Sequence, residues 1–75
     1  MKSDEFIDIF KDTIQSDSAI EMDSALADIE EWDSMAMMAL IAYFDVKLGI
    51  TVTFDQLHAL SSVSDVAQLI PGFEA

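Results

Sequence analysis

The first apolar pattern in the chain has the spacing of an amphipathic helix. Its large apolar residues recur at i, i+1, i+4 and i+8: Phe6, Ile7, Phe10 and Ile14. This spacing places them on one stripe of an α-helix and turns the intervening charged residues to water. Either Ser3 or Asp4 suits the N-cap position, because each has a side-chain oxygen that accepts a hydrogen bond from a first-turn N–H. The pattern predicts a first helix from about residue 3 to 15.

Between residues 15 and 32 the helical periodicity stops. This stretch is rich in Ser and Asp, and its apolar residues are isolated: Ile20, Met22, Leu26 and Ile29. A loop of this length is uncommon in a small domain unless it has a function or packs anchors into the core. We expect these four side chains to be the anchors, with a short helical turn near residues 24 to 28. Trp32 is expected to pack against the bundle.

The longest apolar run starts directly after Asp33-Ser34 and predicts a second helix. Residues 35 to 44 contain no charged residue, Gly or Pro, and Gly49 is the usual residue after a helix C-terminus. The helix is therefore expected from about 34 to 48, with Asp33 as its N-cap. Because it is apolar on nearly all sides, part of its apolar surface must face solvent in so small a protein. We expect the exposed residues near Ser34 to come from this set: Ala36, Met37, Ala39 and Ile41.

A β-branched connector and a short third helix follow. Ile50 and Val52 have no partner strand, so we expect them to pack inward from an extended segment. Thr53 then caps a third helix from Phe54 to about Leu60.

The last helix starts at a capping-box sequence. Ser62-Val63-Ser64-Asp65 has the required Ser-x-x-acid form, and the helix is expected to continue to Ile70 and stop at Pro71-Gly72. The predicted fold is all-α: a small four-helix bundle with three main helices and a short third one. Residues 1–75 are expected to form a single domain.

Composition and charge exclude several classes of binding partner and of active site. The 75 residues include 15 acidic residues, three Lys and no Cys, for a net charge of −12. Such a surface repels nucleic acid and anionic membranes and attracts basic protein surfaces. Without Cys and with only His58, the chain has no credible metal cluster and no catalytic set. With no signal peptide and no membrane-length apolar run, we expect a cytoplasmic monomer that binds other proteins.

Asp33 and Ser34 stand where a loop becomes a helix. The first turn of a helix has N–H groups without intrahelical partners and the positive end of the helix dipole. A phosphodiester on Ser34 would be stabilised there by roughly 0.3 to 1 kcal/mol. An ordinary capped helix start uses the same two residue types, so the dipeptide alone leaves both interpretations open.

The order of these parts resembles the acyl carrier protein family, which includes peptidyl and aminoacyl carriers. The likeness covers nearly the whole chain, and three segments are specific. Asp33-Ser34-Met35 is similar to the family's Asp-Ser-Leu attachment motif. Leu48-Gly49-Ile50 resembles the end of its second helix, and Ser62-Val63-Ser64-Asp65-Val66 resembles the start of its fourth.

This resemblance implies that Ser34 carries 4'-phosphopantetheine, attached from coenzyme A by a phosphopantetheinyl transferase. Asp33 would cap the helix and help the transferase to recognise the site. The thiol of the arm would hold an acyl or aminoacyl group as a thioester, received from a loading ligase and passed to a downstream synthase or transferase. The protein would then be a carrier and not an enzyme. The apolar interior between the second and third helices is expected to shelter part of a bound chain.

Three departures from the family pattern indicate what kind of carrier this is. Trp32 stands where the family often has Gly, and Met35 replaces Leu. Fatty-acid carriers usually place acids on the second helix, where this chain has Ala36 and Ala39 with Met37 between them. We therefore expect apolar partner contacts at Met35, Ala36, Met37 and Ala39, and a carrier in a specialised biosynthetic pathway. The alternative is an unmodified helical interaction module, since only the attachment motif separates the two.

Overall fold

A computed structural model describes residues 1–73, which contain four α-helices and no strand element. The helices are α1 (Ser3–Ile14), α2 (Ser34–Tyr43), α3 (Phe54–His58) and α4 (Val63–Ala67). A 3₁₀ turn, Leu26–Asp28, lies in the long loop, and a π-helical turn, Phe44–Leu48, extends α2. The predicted all-α, four-helix fold is confirmed. The expectation of three main helices is wrong, because α4 is as short as α3.

Helix α1 starts one residue earlier than a side-chain cap at Ser3 would place it. Its N-cap is Lys2, which makes no side-chain capping bond, while the Lys2 carbonyl accepts from the Phe6 N–H at 2.9 Å. The prediction that Ser3 or Asp4 caps this helix is therefore wrong. Asp4 lies instead in the first turn, where the helix dipole favours an acid.

The apolar stripe of α1 faces the core as predicted. Phe6, Phe10 and Ile14 are buried, and Ile7 is half-buried beside them. The helix ends at Ile14. The C-cap residue Gln15 adopts a left-handed conformation with φ of 58°, and its N–H donates to the carbonyl of Asp12. This geometry is a Schellman-type ending, which satisfies carbonyls that the helix leaves without partners.

The long loop is held down by its anchors, as the sequence predicts. Ile20, Leu26 and Ile29 are buried, and Met22 is half-buried against the core. The loop also binds the start of α4 through three backbone hydrogen bonds. The Leu26 N–H donates to Ser61 at 2.9 Å, the Val63 N–H to Ser24 at 3.0 Å, and the Ser64 N–H to Met22 at 2.8 Å. The loop is thus a packed part of the fold.

The second helical segment covers the predicted span but changes type in its last turn. After Tyr43 the backbone follows a π-helical turn, which the Gly49 N–H closes by donating to the Phe44 carbonyl. Gly49 has φ of 67°, a left-handed conformation that favours glycine. Val52 then packs inward and is buried, and Ile50 is half-buried, which confirms the predicted connector.

Capping boxes start both short helices. At α3 the Thr53 hydroxyl accepts from the Gln56 N–H, and the Gln56 side chain accepts from the Thr53 N–H. The helix ends at His58, two residues before the predicted Leu60. The capping box predicted at Ser62 is confirmed for α4.

Helix α4 ends sooner than the sequence pattern predicts. It stops at Ala67, and the chain then tightens into turns in which Ile70 donates to the Ala67 carbonyl. The turns begin at Gln68, before Pro71-Gly72, so that pair does not end the helix. Ile70 is nevertheless buried, as its place in the apolar pattern requires. Within residues 1–73, no helix has the length and apolarity needed to cross a bilayer.

Candidate functional site

The candidate site is the N-terminus of α2. Asp33 is in an extended conformation, and its Oδ1 accepts from the Ala36 N–H at 2.9 Å. Its backbone carbonyl accepts from the Met37 N–H at 3.0 Å, which starts the helical hydrogen bonds. The predicted N-cap is confirmed, and it fixes the direction in which α2 leaves the loop.

Ser34 is the first residue of α2, and its side chain is exposed. The N–H groups of Ser34 and Met35 meet no acceptor among the described residues, since the cap at Asp33 uses only the next two N–H groups. These free donors and the positive end of the helix dipole favour a phosphate on the Ser34 hydroxyl. The ten residues of α2 include no charged side chain that would oppose it.

Trp32 holds the segment that leads into the site. Its ring stacks on Phe10 with centroids 5.8 Å apart and an interplanar angle of 26°. Its N–H donates to the Ile29 carbonyl at 3.0 Å. The predicted packing of Trp32 is confirmed, and it ties the approach to Ser34 to a fully buried residue of α1.

A second contact, with the residues just after α1, was not predicted. Ser16 is buried, and its hydroxyl donates to Oε1 of Glu31 at 2.9 Å while accepting from the Ser18 N–H at 3.1 Å. Glu31 lies two residues before the Asp33 cap, so this bond positions the same segment as the Trp32 stack. Nothing in the sequence distinguishes Ser16 from the other serines of the loop.

The exposed apolar surface beside Ser34 differs from the predicted one. Met35 is 78% exposed and Met38 is 58% exposed, whereas Ala36 and Met37 are only 5% and 6% exposed. Ala36 and Met37 are therefore not among the exposed residues, contrary to expectation, and their contact with partners stays a prediction. Residues three apart share a helix face, so Met38 accompanies Met35 while Met37 turns to the core. The same spacing rule could have found Met38 in the sequence.

The other two residues of that predicted set are intermediate. Ala39 and Ile41 are half-buried, so each offers part of its side chain at the surface.

Two grooves flank this part of the molecule. One, of about 490 Å³, lies between α2 and the segment leading into α3 and is lined mainly by apolar side chains: Met38, Ile41, Ala42, Val52 and Phe54. The other, of about 350 Å³, lies between the C-terminal end of α1 and the start of α2. Asp33 and Met35, the two neighbours of Ser34, line the second groove.

Comparison with known families agrees with this geometry. A family model described as "phosphopantetheine attachment site" matches residues 4–70, most of the chain. The chain therefore belongs to the phosphopantetheine-binding carrier family, as its resemblance to acyl carrier proteins indicated. Searches of curated proteins and of solved structures returned no match.

Family membership settles the cofactor and the general role. The family attaches 4'-phosphopantetheine covalently, and its carrier domains are not themselves catalytic. The start of α2 fits this cofactor, because it combines an exposed hydroxyl with two unused N–H donors for a phosphodiester.

Proposed function

We propose that Ser34 is the attachment residue and that the chain carries an acyl or aminoacyl group as a thioester. One observation supports this most directly. Inside the family match, Ser34 has an exposed hydroxyl at the N-terminus of α2, beside two N–H groups without acceptors among the described residues. The thiol at the end of the attached arm forms the thioester with the cargo.

Attachment forms a phosphodiester bond to Ser34 and breaks the pyrophosphate bond of coenzyme A. The Ser34 Oγ forms a bond to the phosphorus next to the pantetheine of coenzyme A, and the pyrophosphate bond breaks. Adenosine 3',5'-bisphosphate leaves, and the Ser34 proton passes to a base of the phosphopantetheinyl transferase. The unused N–H groups stabilise the new negative charge, and the Asp33 cap presents the hydroxyl at a fixed helix end.

Partner enzymes would contact the exposed apolar surface next to the arm. These partners are the transferase, a loading ligase, and a downstream synthase or transferase. Met35 and Met38, with part of Ala39, supply a flexible apolar contact area suited to more than one partner. The absence of charge from α2 supports a specialised pathway with apolar docking at this helix.

The test is the intact mass after incubation with coenzyme A and a broad-specificity transferase. Wild type is expected to gain one phosphopantetheinyl group, and Ser34→Ala none, because the variant lacks the accepting oxygen. Ser61→Ala, which removes another exposed hydroxyl, serves as the matched control and should load fully. Circular dichroism should show that both variants are folded.

Loading of Ser34→Ala would overturn the assignment of the site. If wild type gains no mass with an active transferase, the unmodified interaction module becomes the better proposal. The exposed side chains of Met35 and Met38 would then be its docking surface.

A further inference from the structure

A third groove, of about 330 Å³, lies between the N-terminal half of α1 and the loop segment 20–22. We call it the α1 groove. Three apolar side chains form its floor, with Ile20 buried and the other two half-buried: Ile7, Ile20 and Met22. Three exposed acids form its rim: Asp4, Asp8 and Glu21. The groove therefore combines an apolar floor with negative charge around it.

The rim carboxylates are not paired with another described residue, although Lys11 lies three residues after Asp8 on α1. No hydrogen bond or ion pair between described residues uses the carboxylates of Asp4, Asp8 or Glu21. Asp4 and Asp8 are four residues apart on one helix, a spacing at which like charges repel. A cationic group placed in the α1 groove would relieve this repulsion.

The arrangement selects among possible cationic occupants. Among the described residues, no group of three or more His, Cys, Asp or Glu side chains could hold a metal ion. A lysine or arginine side chain fits better, because its aliphatic stem covers apolar surface while its charged end reaches carboxylates. A second copy of this chain, with its net charge of −12, and an anionic membrane would both be repelled.

We propose that the α1 groove docks a lysine- or arginine-bearing segment of a partner protein. Long-range attraction to basic proteins follows from the net charge, but α2 has no charged residue to localise it. The α1 groove provides that localisation together with an apolar surface on which the segment can pack.

A partner docked there would leave the arm accessible. The end of α1 that lies beside Asp33 contains Thr13 and Ile14. Asp4 and Asp8 precede Thr13 by nine and five residues, roughly 14 and 8 Å along the helix axis. The step from docking to delivery of cargo rests on the proposed function, whereas docking itself does not require a loaded arm.

The experiment titrates the unloaded full chain with a synthetic lysine–leucine peptide that forms a basic amphipathic helix. Binding is followed by calorimetry and by amide NMR shifts. The double variant Asp8→Asn/Glu21→Gln is expected to bind about tenfold more weakly than wild type, since two rim charges are lost. The largest amide shifts in wild type should lie at Ile7 and Met22.

The matched control is Asp17→Asn/Glu30→Gln, which removes the same two charges at exposed positions outside the groove. It should bind within about twofold of wild type, because charges outside the groove act only through screened attraction. Ser34→Ala should bind like wild type, so a failure of docking is distinguishable from a failure of attachment at Ser34.

Three results would overturn the proposal. The first is an equal loss of affinity in both double variants, which would mean general attraction to an acidic protein. The second is the absence of peptide binding in wild type. The third is spermidine binding at the same amides as tightly as the peptide, because spermidine would then show that a small polycation suffices.

Discussion

Asp33 is the residue on which the geometry at Ser34 depends most directly. Its carboxylate accepts from the Ala36 N–H, and this one bond sets where α2 begins. The same carboxylate is proposed to help the transferase recognise the site. Capping requires only an oxygen acceptor, whereas recognition by charge requires the carboxylate, so the two roles can be separated.

Replacing Asp33 separates them. Asp33→Ala should lower the free energy of unfolding by about 1 kcal/mol, within the usual 0.5–2 kcal/mol for a lost N-cap, as measured by urea denaturation. Asp33→Asn keeps a capping oxygen and should be nearly as stable as wild type. If Asn also loads phosphopantetheine at the wild-type rate, the carboxylate charge has no part in recognition.

Residue type alone does not decide which apolar side chains near Ser34 are buried and which are exposed. Alanine and methionine are equally acceptable in a core or at an apolar surface, so composition does not separate Met35 from Met37. Their order along the helix does, since they differ by about 200° around its axis at 100° per residue. The structure shows that the Met37 side faces the core and the Met35 side faces solvent.

Among the elements, α4 shows how a five-residue helix is held in place. Its first-turn N–H groups are satisfied by the Ser62 hydroxyl and by carbonyls of the long loop. The Asp65 carboxylate accepts hydrogen bonds from the N–H groups of Ser61 and Ser62 at 3.1 and 3.2 Å. A helix this short gains little stability from its own hydrogen bonds, so these bonds from side chains and from the loop stabilise it instead.

These bonds predict a pH dependence. The N–H groups of Ser61 and Ser62 lower the pKa of Asp65 below its ordinary value of about 3.9, because they stabilise the carboxylate. A lowered folded-state pKa adds stability above the ordinary pKa, and this contribution is lost as the pH falls through the folded-state value. The stability difference between wild type and Asp65→Asn should therefore shrink below about pH 4.

Urea denaturation at a series of pH values measures that difference. Asp17→Asn is the control, because it removes the same charge from an exposed loop position. Its difference from wild type measures the effect of removing one surface charge over the same range. A parallel pH dependence for both variants would contradict the role of the Asp65 hydrogen bonds.

At the scale of the whole molecule, the dominant property is charge. Fifteen acids and three lysines give −12 over 75 residues, and the packed core has to hold this surface together. Salt shortens the range of repulsion between exposed charges, with a Debye length of about 10 Å at 0.1 M and about 3 Å at 1 M. Added salt should therefore weaken much of the repulsion between the surface acids without any substitution.

The melting temperature should therefore rise between low and high concentrations of sodium chloride. The variant Asp17→Lys/Asp28→Lys, which changes two exposed acids, should show a smaller rise because its net charge is less negative. Calorimetry of both proteins makes the comparison. A melting temperature that does not depend on salt in wild type would contradict this account of the charge.

The sequence by itself determined the parts whose causes are local. Helical spacing in α1, the caps at Asp33 and Thr53, the capping box of α4, and Gly49 each depend on neighbouring residues and were predicted correctly. The attachment motif and the order of elements were enough to indicate the carrier family.

Only the tertiary structure decided features that depend on residues distant in the chain. The hydrogen bond from Ser16 to Glu31 spans 15 positions, and the loop's bonds to the start of α4 join residues 35 to 42 positions apart. The same applies to the burial of Met37 and to the early end of α4, because packing determines which helix face is covered. Local patterns carry no information about such partners, so the grooves around α1 and α2 became visible only once the chain was folded.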